Sequence, residues 1–557
     1  MMGLAQESAG SDRGEMVKRT YTSAIDGAAL DYALWLPAGY AAGSDWPLIV
    51  FLHGSAEGTN WMAPTRPAAS VPVLGEMADL PFVVAFPLMR GSWSISTLAE
   101  RDVMDVVVDV ESHCKIDPDQ VHLVGLSLGG FAGWRIASRY PDRFATLTAF
   151  CGGGEPELAV NLRHLGLNVV HGTRDRNVPV SLSREMVAAL KQAGIEANYT
   201  EYPQSGHVVW GETLGSGLLY RWMSNRRRVG DPRRISFRTY TLRHASAYWA
   251  TVESMIDPAK PAFVDVFVPP GDTLVLVQAD NVGRLSLKVP GLLIEAERRV
   301  RFEVNGEIFQ ARRDDRGWRL DIEPAKDGTW AKRPGLSGPI QDVFYEKFVV
   351  VVPSEGGPQV VNRWLAAAGR AMAWTQQMVV NRVQVVSASA VTDALMREAH
   401  LICFGNPSNN AVLRRMTGLL PLHADTGRVF AGGEALDGHV VGFVMIHPNP
   451  LAPDRYLVVC SGLAEAVAEL GAAVLGPIAL SPPRVEDLVL MGADGKIVNW
   501  KGANEKERGL GERMGARLPG RGPVLDRNWR LEPAALEWLH SIKPPPERKG
   551  PTPGAPR

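Results

Sequence analysis

The run Val121-His122-Leu123-Val124-Gly125-Leu126-Ser127-Leu128-Gly129-Gly130 constrains this chain more than any other segment. A short apolar run ends in Gly-x-Ser-x-Gly, and a helix-like stretch, Phe131 to Ser138, follows at once. A serine on so tight a strand-to-helix turn is held in a strained backbone conformation. Only glycines beside it let the chain pass that closely. The turn lifts the hydroxyl clear of the sheet and brings the unpaired N–H groups of a helix N-terminus beside it. That is the context of a nucleophile elbow.

The flanks predict an α/β sheet around this turn. Strands are expected at Leu48 to Leu52, Phe82 to Phe86, Val121 to Val124, Thr146 to Phe150 and Val169 to Val170. Helical patterns at Arg101 to His113, Phe131 to Ser138 and Ser181 to Ala193 alternate with them. Continuous apolar strands of this kind suit a sheet buried on both faces, with functional residues at the strands' carboxyl ends. At 557 residues the chain exceeds one core, and about two to four domains are expected.

After a basic, proline-marked break the texture changes. Short alternating runs such as Ala262 to Val268 and Arg284 to Val289, then Val300 to Gln310 and Trp318 to Ile322, predict a small β-rich, sandwich-like module. An α/β texture returns with strands at Phe348 to Val352, His400 to Cys403 and Tyr456 to Cys460, and helices at Val361 to Gln377 and Leu463 to Leu475. The organisation expected is a flexible N-terminus (1–16), an α/β domain carrying the elbow serine (17–228), a β-rich module (235–330), a C-terminal α/β accessory region (335–540) and a disordered tail (541–557).

Hydrophobic residues make up 45% of the chain, charged residues 21%, and the net charge is −1. That balance argues against a nucleic-acid binder. Arg226 to Arg228 and Arg233-Arg234 fall in the break and read as a solvated linker. No apolar run approaches the length of a membrane span. Met1 to Glu15 lacks the apolar stretch of a signal peptide; the location predicted is cytoplasmic, or secreted or periplasmic if a signal was removed. The four cysteines, Cys114, Cys151, Cys403 and Cys460, show no metal-ligand spacing. Neither a metal nor a cofactor is expected. Pairing of the cysteines and oligomeric state are not fixed by the sequence.

An acyl-transfer serine needs a base, a group to orient the base, and donors for an oxyanion. In the serine–acid–histidine chain order, the acid candidate is Asp175 in His171-Gly172-Thr173-Arg174-Asp175, after a strand. The base candidate is His207 in Ser205-Gly206-His207, beyond the strand Asn198 to Tyr202. Asp142 and Asp117 are weaker rivals for the acid. His171 and His53 read as packing or loop-shaping residues. Backbone donors are expected at Leu128 and, after strand Leu48 to Leu52, at Gly54 or Ser55. Trp93 and Trp210 lie where aromatic rings could stack on an acyl group. Trp61 reads equally as loop packing, and Trp134 as core. In the second half, Cys460-Ser461-Gly462 lacks the leading glycine of an elbow and reads as a structural turn. Cys403 to Asn410 is polar enough to hold a ligand, but it is no P-loop, since Gly-Lys-Ser/Thr is missing.

Phe51-Leu52-His53-Gly54, Gly125 to Trp134, and Tyr140-Pro141-Asp142-Arg143-Phe144 resemble the α/β-hydrolase superfamily. The Ile116-Asp117-Pro118-Asp119-Gln120-Val121, His-Gly-Thr-x-Asp and Ser-Gly-His motifs are similar to the poly(3-hydroxybutyrate) depolymerase-like and feruloyl-esterase-like branch. The resemblance covers the N-terminal two-fifths. It implies a serine carboxylesterase with Ser127, Asp175 and His207 as the triad, acting on small or polymeric esters of aryl, feruloyl, acetyl or polyester type. The loop His53 to Gly58 is less glycine-rich than in many relatives, so Gly54 and Ser55 stay alternatives as donor. The second half is similar to regions appended to such esterases, which implies no chemistry. Two other readings compete. One is a prolyl-oligopeptidase-like peptidase, though such enzymes usually carry a propeller ahead of the hydrolase. The other is a binding protein whose C-terminal half carries the function.

Overall fold

The structure, a computed structural model, describes residues 14–54, 81–90, 97–294, 300–315, 317–323, 331–378, 382–425, 427–436, 439–476, 487–498, 525–531 and 533–541. Its first sheet is built from β1 (Glu15–Thr22), β2 (Ala29–Leu36), β3 (Trp46–Leu52), β4 (Val83–Pro87), β5 (Ile116–Leu126), β6 (Thr146–Phe150), β7 (Gly166–Gly172) and β8 (Asn198–Tyr202). Their order is β1-β2-β4-β3-β5-β6-β7-β8. β1, β2 and β4 pair antiparallel, and the remaining neighbours are parallel.

Both faces of this sheet are buried because its central strands carry apolar residues on both. In β3, Leu48, Val50 and Leu52 enter one core while Ile49 and Phe51 enter the other, as the two-residue period of a strand requires. The first core is closed by the helices Thr97–His113, Leu128–Arg139 and Ser181–Gln192, the second by Trp210–Leu214 and Leu218–Ser224.

Several boundaries differ from the sequence expectation. β1 begins at Glu15, inside the segment read as flexible. Its Glu15 and Met16 pair with Leu36 and Trp35. β5 reaches back to Ile116, taking the Asp-Pro-Asp segment into the strand. That segment also clasps the chain break. Arg227 reaches Asp117 at 2.8 Å and Arg228 reaches Asp119 at 2.8 Å, so the basic linker is pinned rather than loose.

Beyond the break, two five-stranded sheets share one apolar core. The run Val300 to Gln310 divides into two strands, Arg301–Val304 and Glu307–Phe309. Asn305 and Gly306 both adopt positive φ between them (52° and 89°), the hairpin geometry an Asn-Gly pair favours. The last third forms a seven-stranded mixed sheet and a separate three-stranded sheet. The helix read to Gln377 ends at Ala371 and passes into a 3₁₀ turn, Ala373–Gln377. All four cysteines are buried free thiols. No helix among the described residues is long and apolar enough to cross a membrane.

The three parts of the chain meet on one buried carboxylate. Glu100, 3% exposed, receives Arg135 at 2.8 Å, Arg139 at 2.5 Å and the Tyr345 hydroxyl at 3.1 Å. His244 stands 3.2 Å from it and 3.0 Å from the Tyr345 oxygen. Beside it, Arg243 bridges to Asp342 at 2.8 Å and Glu346 at 2.9 Å. Arg135 and Arg139 belong to the helix that starts at Leu128, so this junction grips the far end of the elbow helix.

Burial alone would raise the Glu100 carboxyl, but Arg139, His244 and Arg135 more than offset it and hold it at about 2. A carboxylate depressed on folding stabilises the protein above its ordinary value, near 4.5, and loses that contribution as pH falls through the folded value. Glu100→Ala leaves the two guanidiniums without a counter-charge, which is expected to cost about 3 kcal/mol or more at neutral pH. Thermal denaturation of wild type and variant should show that gap narrowing from about pH 4.5 toward about pH 2.

Candidate active site

Backbone packed on backbone shapes the turn that carries Ser127. A Cβ on Gly125 would fall 2.1 Å from the Gly129 carbonyl oxygen, and one on Gly129 would fall 2.0 Å from that of Leu52. A Cβ on Gly130 would fall 2.6 Å from the Phe150 oxygen. These separations exclude any side chain. The turn they allow holds Ser127 at φ 53°, ψ −113°, in the positive-φ region that non-glycine residues rarely adopt. Its amide donates to Phe150 O at 2.9 Å, and helical bonding begins with the Phe131 amide on Ser127 O at 3.1 Å. The Leu128 amide lies ahead of that first bond, among the donors a helix N-terminus leaves over.

The imidazole of His207 lies between two of the residues singled out above. Its Nε2 is 2.9 Å from Ser127 Oγ, and its Nδ1 is 2.6 Å from Asp175 Oδ2. The other carboxylate oxygen accepts the amides of Asn177 at 2.8 Å and Val178 at 2.9 Å. Burial works to raise the Asp175 carboxyl, but the Val178 amide, His207 and the Asn177 amide hold it below the ordinary carboxylate value. Asp175 therefore stays charged, and it faces the imidazole edge away from the serine. In such a chain of bonds a serine proton can pass to the imidazole while the carboxylate stabilises the cation formed.

The loops carrying Asp175 and His207 are zipped to each other. The Thr173 amide donates to Tyr202 O and the Arg174 amide to Ser205 O, both at 3.0 Å. A Cβ on Gly172 would fall 1.9 Å from Gly206 O. The glycines of His-Gly-Thr and Ser-Gly-His are thus two sides of one contact.

Gly54 runs beside the serine: a Cβ on it would lie 3.6 Å from Ser127 Cβ. Ser55, Trp61 and Trp93 lie outside the described residues. Trp210, expected to stack on substrate, is 9% exposed, and its ring stands edge-on to His207, with centroids 5.8 Å apart. Trp134 is in the core, 1% exposed.

The rival residues are engaged elsewhere. Asp117 holds Arg227, and Asp142 accepts the Tyr248 amide at 3.1 Å. His53 is buried against the carbonyls of Gly54 and Leu88. Ser461 is buried and donates to Asn406 Oδ1 at 2.8 Å. The Asn410 side chain caps the amides of Val412 and Leu413. The polar stretch 403–410 therefore satisfies its own backbone and its neighbours.

Two further residues stand beside the group formed by Ser127, His207 and Asp175: Cys151, to which sequence reasoning assigned no part, and His171, which it read as packing. Cys151, at the end of β6, donates from Sγ to His207 O at 3.2 Å. His171, at the end of β7, places Nε2 3.3 Å from the same Asp175 oxygen that His207 uses. The only sequence signal for either was its place at a strand's carboxyl end.

Known proteins similar to this chain match it over its N-terminal two-fifths. A model of the prolyl oligopeptidase family matches residues 161–220, a stretch that carries Asp175 and His207 but not Ser127. A curated relative from Arabidopsis thaliana, "Probable carboxylesterase SOBER1-like", is 25% identical over 223 residues, 37% of this chain and 83% of the relative. Among solved structures, a thermostable esterase is 24% identical with a TM-score of 0.35, covering 38% of this chain and 63% of that one. A ferulic acid esterase from Anaeromyces mucronatus is 16% identical with a TM-score of 0.32, covering 40% of this chain and 94% of that one.

Gly172→Ala tests the zipped loops. The added methyl must push the His207 loop off β7, and an error near 1 Å in catalytic alignment costs about 100-fold. Labelling of Ser127 by a fluorophosphonate, followed by mass spectrometry, is expected to slow by about that factor. An unchanged labelling rate would show that the contact does not set the alignment.

Proposed function

We propose that this chain, an α/β-hydrolase of the serine hydrolase superfamily in its N-terminal two-fifths, hydrolyses carboxylic esters through an acyl-enzyme on Ser127. The observation that carries the proposal is one imidazole reaching Ser127 Oγ at 2.9 Å and Asp175 at 2.6 Å. In this reading Ser127 Oγ attacks the ester carbonyl as His207 Nε2 takes its proton. Asp175 holds the proton on Nδ1 and stabilises the imidazolium. The Leu128 amide and a donor from the end of β3, Gly54 or Ser55, receive the oxyanion. His207 then protonates the departing alkoxide, and water attacks the acyl-enzyme by the reverse path.

The substrate class proposed is an aryl, short-chain or polymer-linked ester, of feruloyl, acetyl or polyester type. The carboxylesterase relative, matched over most of its own length, favours esters over peptides. The prolyl oligopeptidase match to residues 161–220 keeps a peptidase as the second reading. Residues 17–228 form the catalytic domain in this proposal, and residues 235–330 and 335–540 are accessory.

Wild type and Ser127→Ala should be assayed on p-nitrophenyl acetate, butyrate and octanoate, methyl ferulate and a peptide p-nitroanilide. The variant is expected to fold and to lose about 10⁴-fold or more in kcat on esters. Ester turnover that survives the substitution would overturn the assignment. Serine-dependent turnover of the anilide above the esters would put the peptidase reading first.

A further inference from the structure

Beneath His207 the side chains of Cys151, His171 and Asp175 bring one sulfur, one ring nitrogen and one carboxylate oxygen within 4.8 Å of one another. All three side chains are buried. Ser183 has a single hydroxyl hydrogen, and its Oγ lies 2.9 Å from Gly152 O, which can only accept. When that hydrogen goes to Gly152 O, His171 Nδ1 donates to Ser183 Oγ at 2.7 Å and the ring hydrogen sits on Nδ1. In the neutral ring, Nε2 then carries a lone pair. It faces Val178 O at 3.1 Å and Asp175 Oδ2 at 3.3 Å, and neither has a hydrogen to give. In that tautomer a lone pair, a carbonyl and a carboxylate converge with a thiol beside them, an arrangement that suits a positive charge at its centre.

The donor set is that of a thiophilic metal. Sulfur, imidazole nitrogen and carboxylate oxygen are the ligands zinc takes. The Nδ1–H bond to a fixed acceptor is what orients a metal-binding histidine. Tetrahedral zinc, with Zn–S about 2.3 Å and Zn–N about 2.0 Å, sets its ligand atoms about 3.5 Å apart.

We propose that Cys151, His171 and Asp175 bind a thiophilic divalent cation, Zn²⁺ or Cd²⁺, and that occupancy inhibits the enzyme by drawing the Asp175 carboxylate away from His207. Binding forms metal–sulfur, metal–nitrogen and metal–oxygen bonds and releases the Cys151 thiol proton to solvent. No electron is transferred. Asp175 Oδ2 exchanges its 2.6 Å bond to His207 Nδ1 for the metal, so the imidazole loses its orienting partner. The inhibitory part rests on the function proposed above; the binding part does not.

The test uses the full-length protein and Cd²⁺, whose bond to a thiolate gives a charge-transfer band in the ultraviolet. Wild type and Ser127→Ala are both expected to develop the band with one Cd²⁺ per chain. Wild-type ester hydrolysis should fall by about 100-fold or more at saturation, and a chelator should restore it. Cys151→Ala, with Cys151→Ser as a second variant should one fail to fold, is expected to lose the band and the inhibition, each compared with its own metal-free rate. No band in wild type overturns the proposal. So does a band that persists in Cys151→Ala, which would assign it to Cys114, Cys403 or Cys460. A band in Ser127→Ala without ester hydrolysis by wild type would uphold the site and reject the esterase reading alone.

Discussion

Main chain pressed against main chain at the end of β5 sets the geometry of everything around Ser127. The Gly129 carbonyl sits where a side chain on Gly125 would be, and the Leu52 carbonyl where one on Gly129 would be. Because no side chain fits, β3, β5 and the elbow helix approach more closely than ordinary strand–helix packing allows. The same closeness puts Gly54 beside the serine and the first helical amide at its back. The strain recorded in Ser127's positive φ is sustained by this packing. Hydroxyl and helix N-terminus are thereby presented on the same side of the sheet.

The rest of the chain bears on this turn through the opposite end of the same helix. Arg135 and Arg139 meet Glu100 of the neighbouring helix, Arg139 also reaches Tyr345 of the third region, and Glu100 in turn faces His244 of the second. A charge cluster so far from water is costly unless every member is paired. Its members come from all three regions, so the regions depend on one another for its satisfaction. The second and third regions thus anchor the helix that begins at Leu128.

The serine, acid and histidine positions were legible in the sequence because glycines mark the loops they sit on. Gly125 and Gly129 announce the turn, and Gly172 and Gly206 meet each other across β7. What the sequence hid is spatial. Cys151 and His171 become neighbours because Phe150 pairs with Val170 across β6 and β7, a register no local pattern encodes. Trp210 reads as a loop aromatic, and only the packing of the second core turns it inward. β1 escaped notice because its side chains are mostly exposed or half-buried and alternate without a strong apolar stripe. The strand Val440–Asn449 escaped because its apolar run, Val440 to Ile446, does not distinguish strand from buried helix.

The central claim is that the Ser127 oxygen carries the acyl group during turnover. It is tested most directly by acid-quenching the enzyme during hydrolysis of p-nitrophenyl butyrate and mapping the adduct by peptide mass spectrometry. The account predicts a butyryl group on the peptide containing Ser127, at the Ser127 oxygen, forming as fast as nitrophenol is released. Hydrolysis that proceeds with no adduct at Ser127, or with the acyl group on another residue, would contradict it.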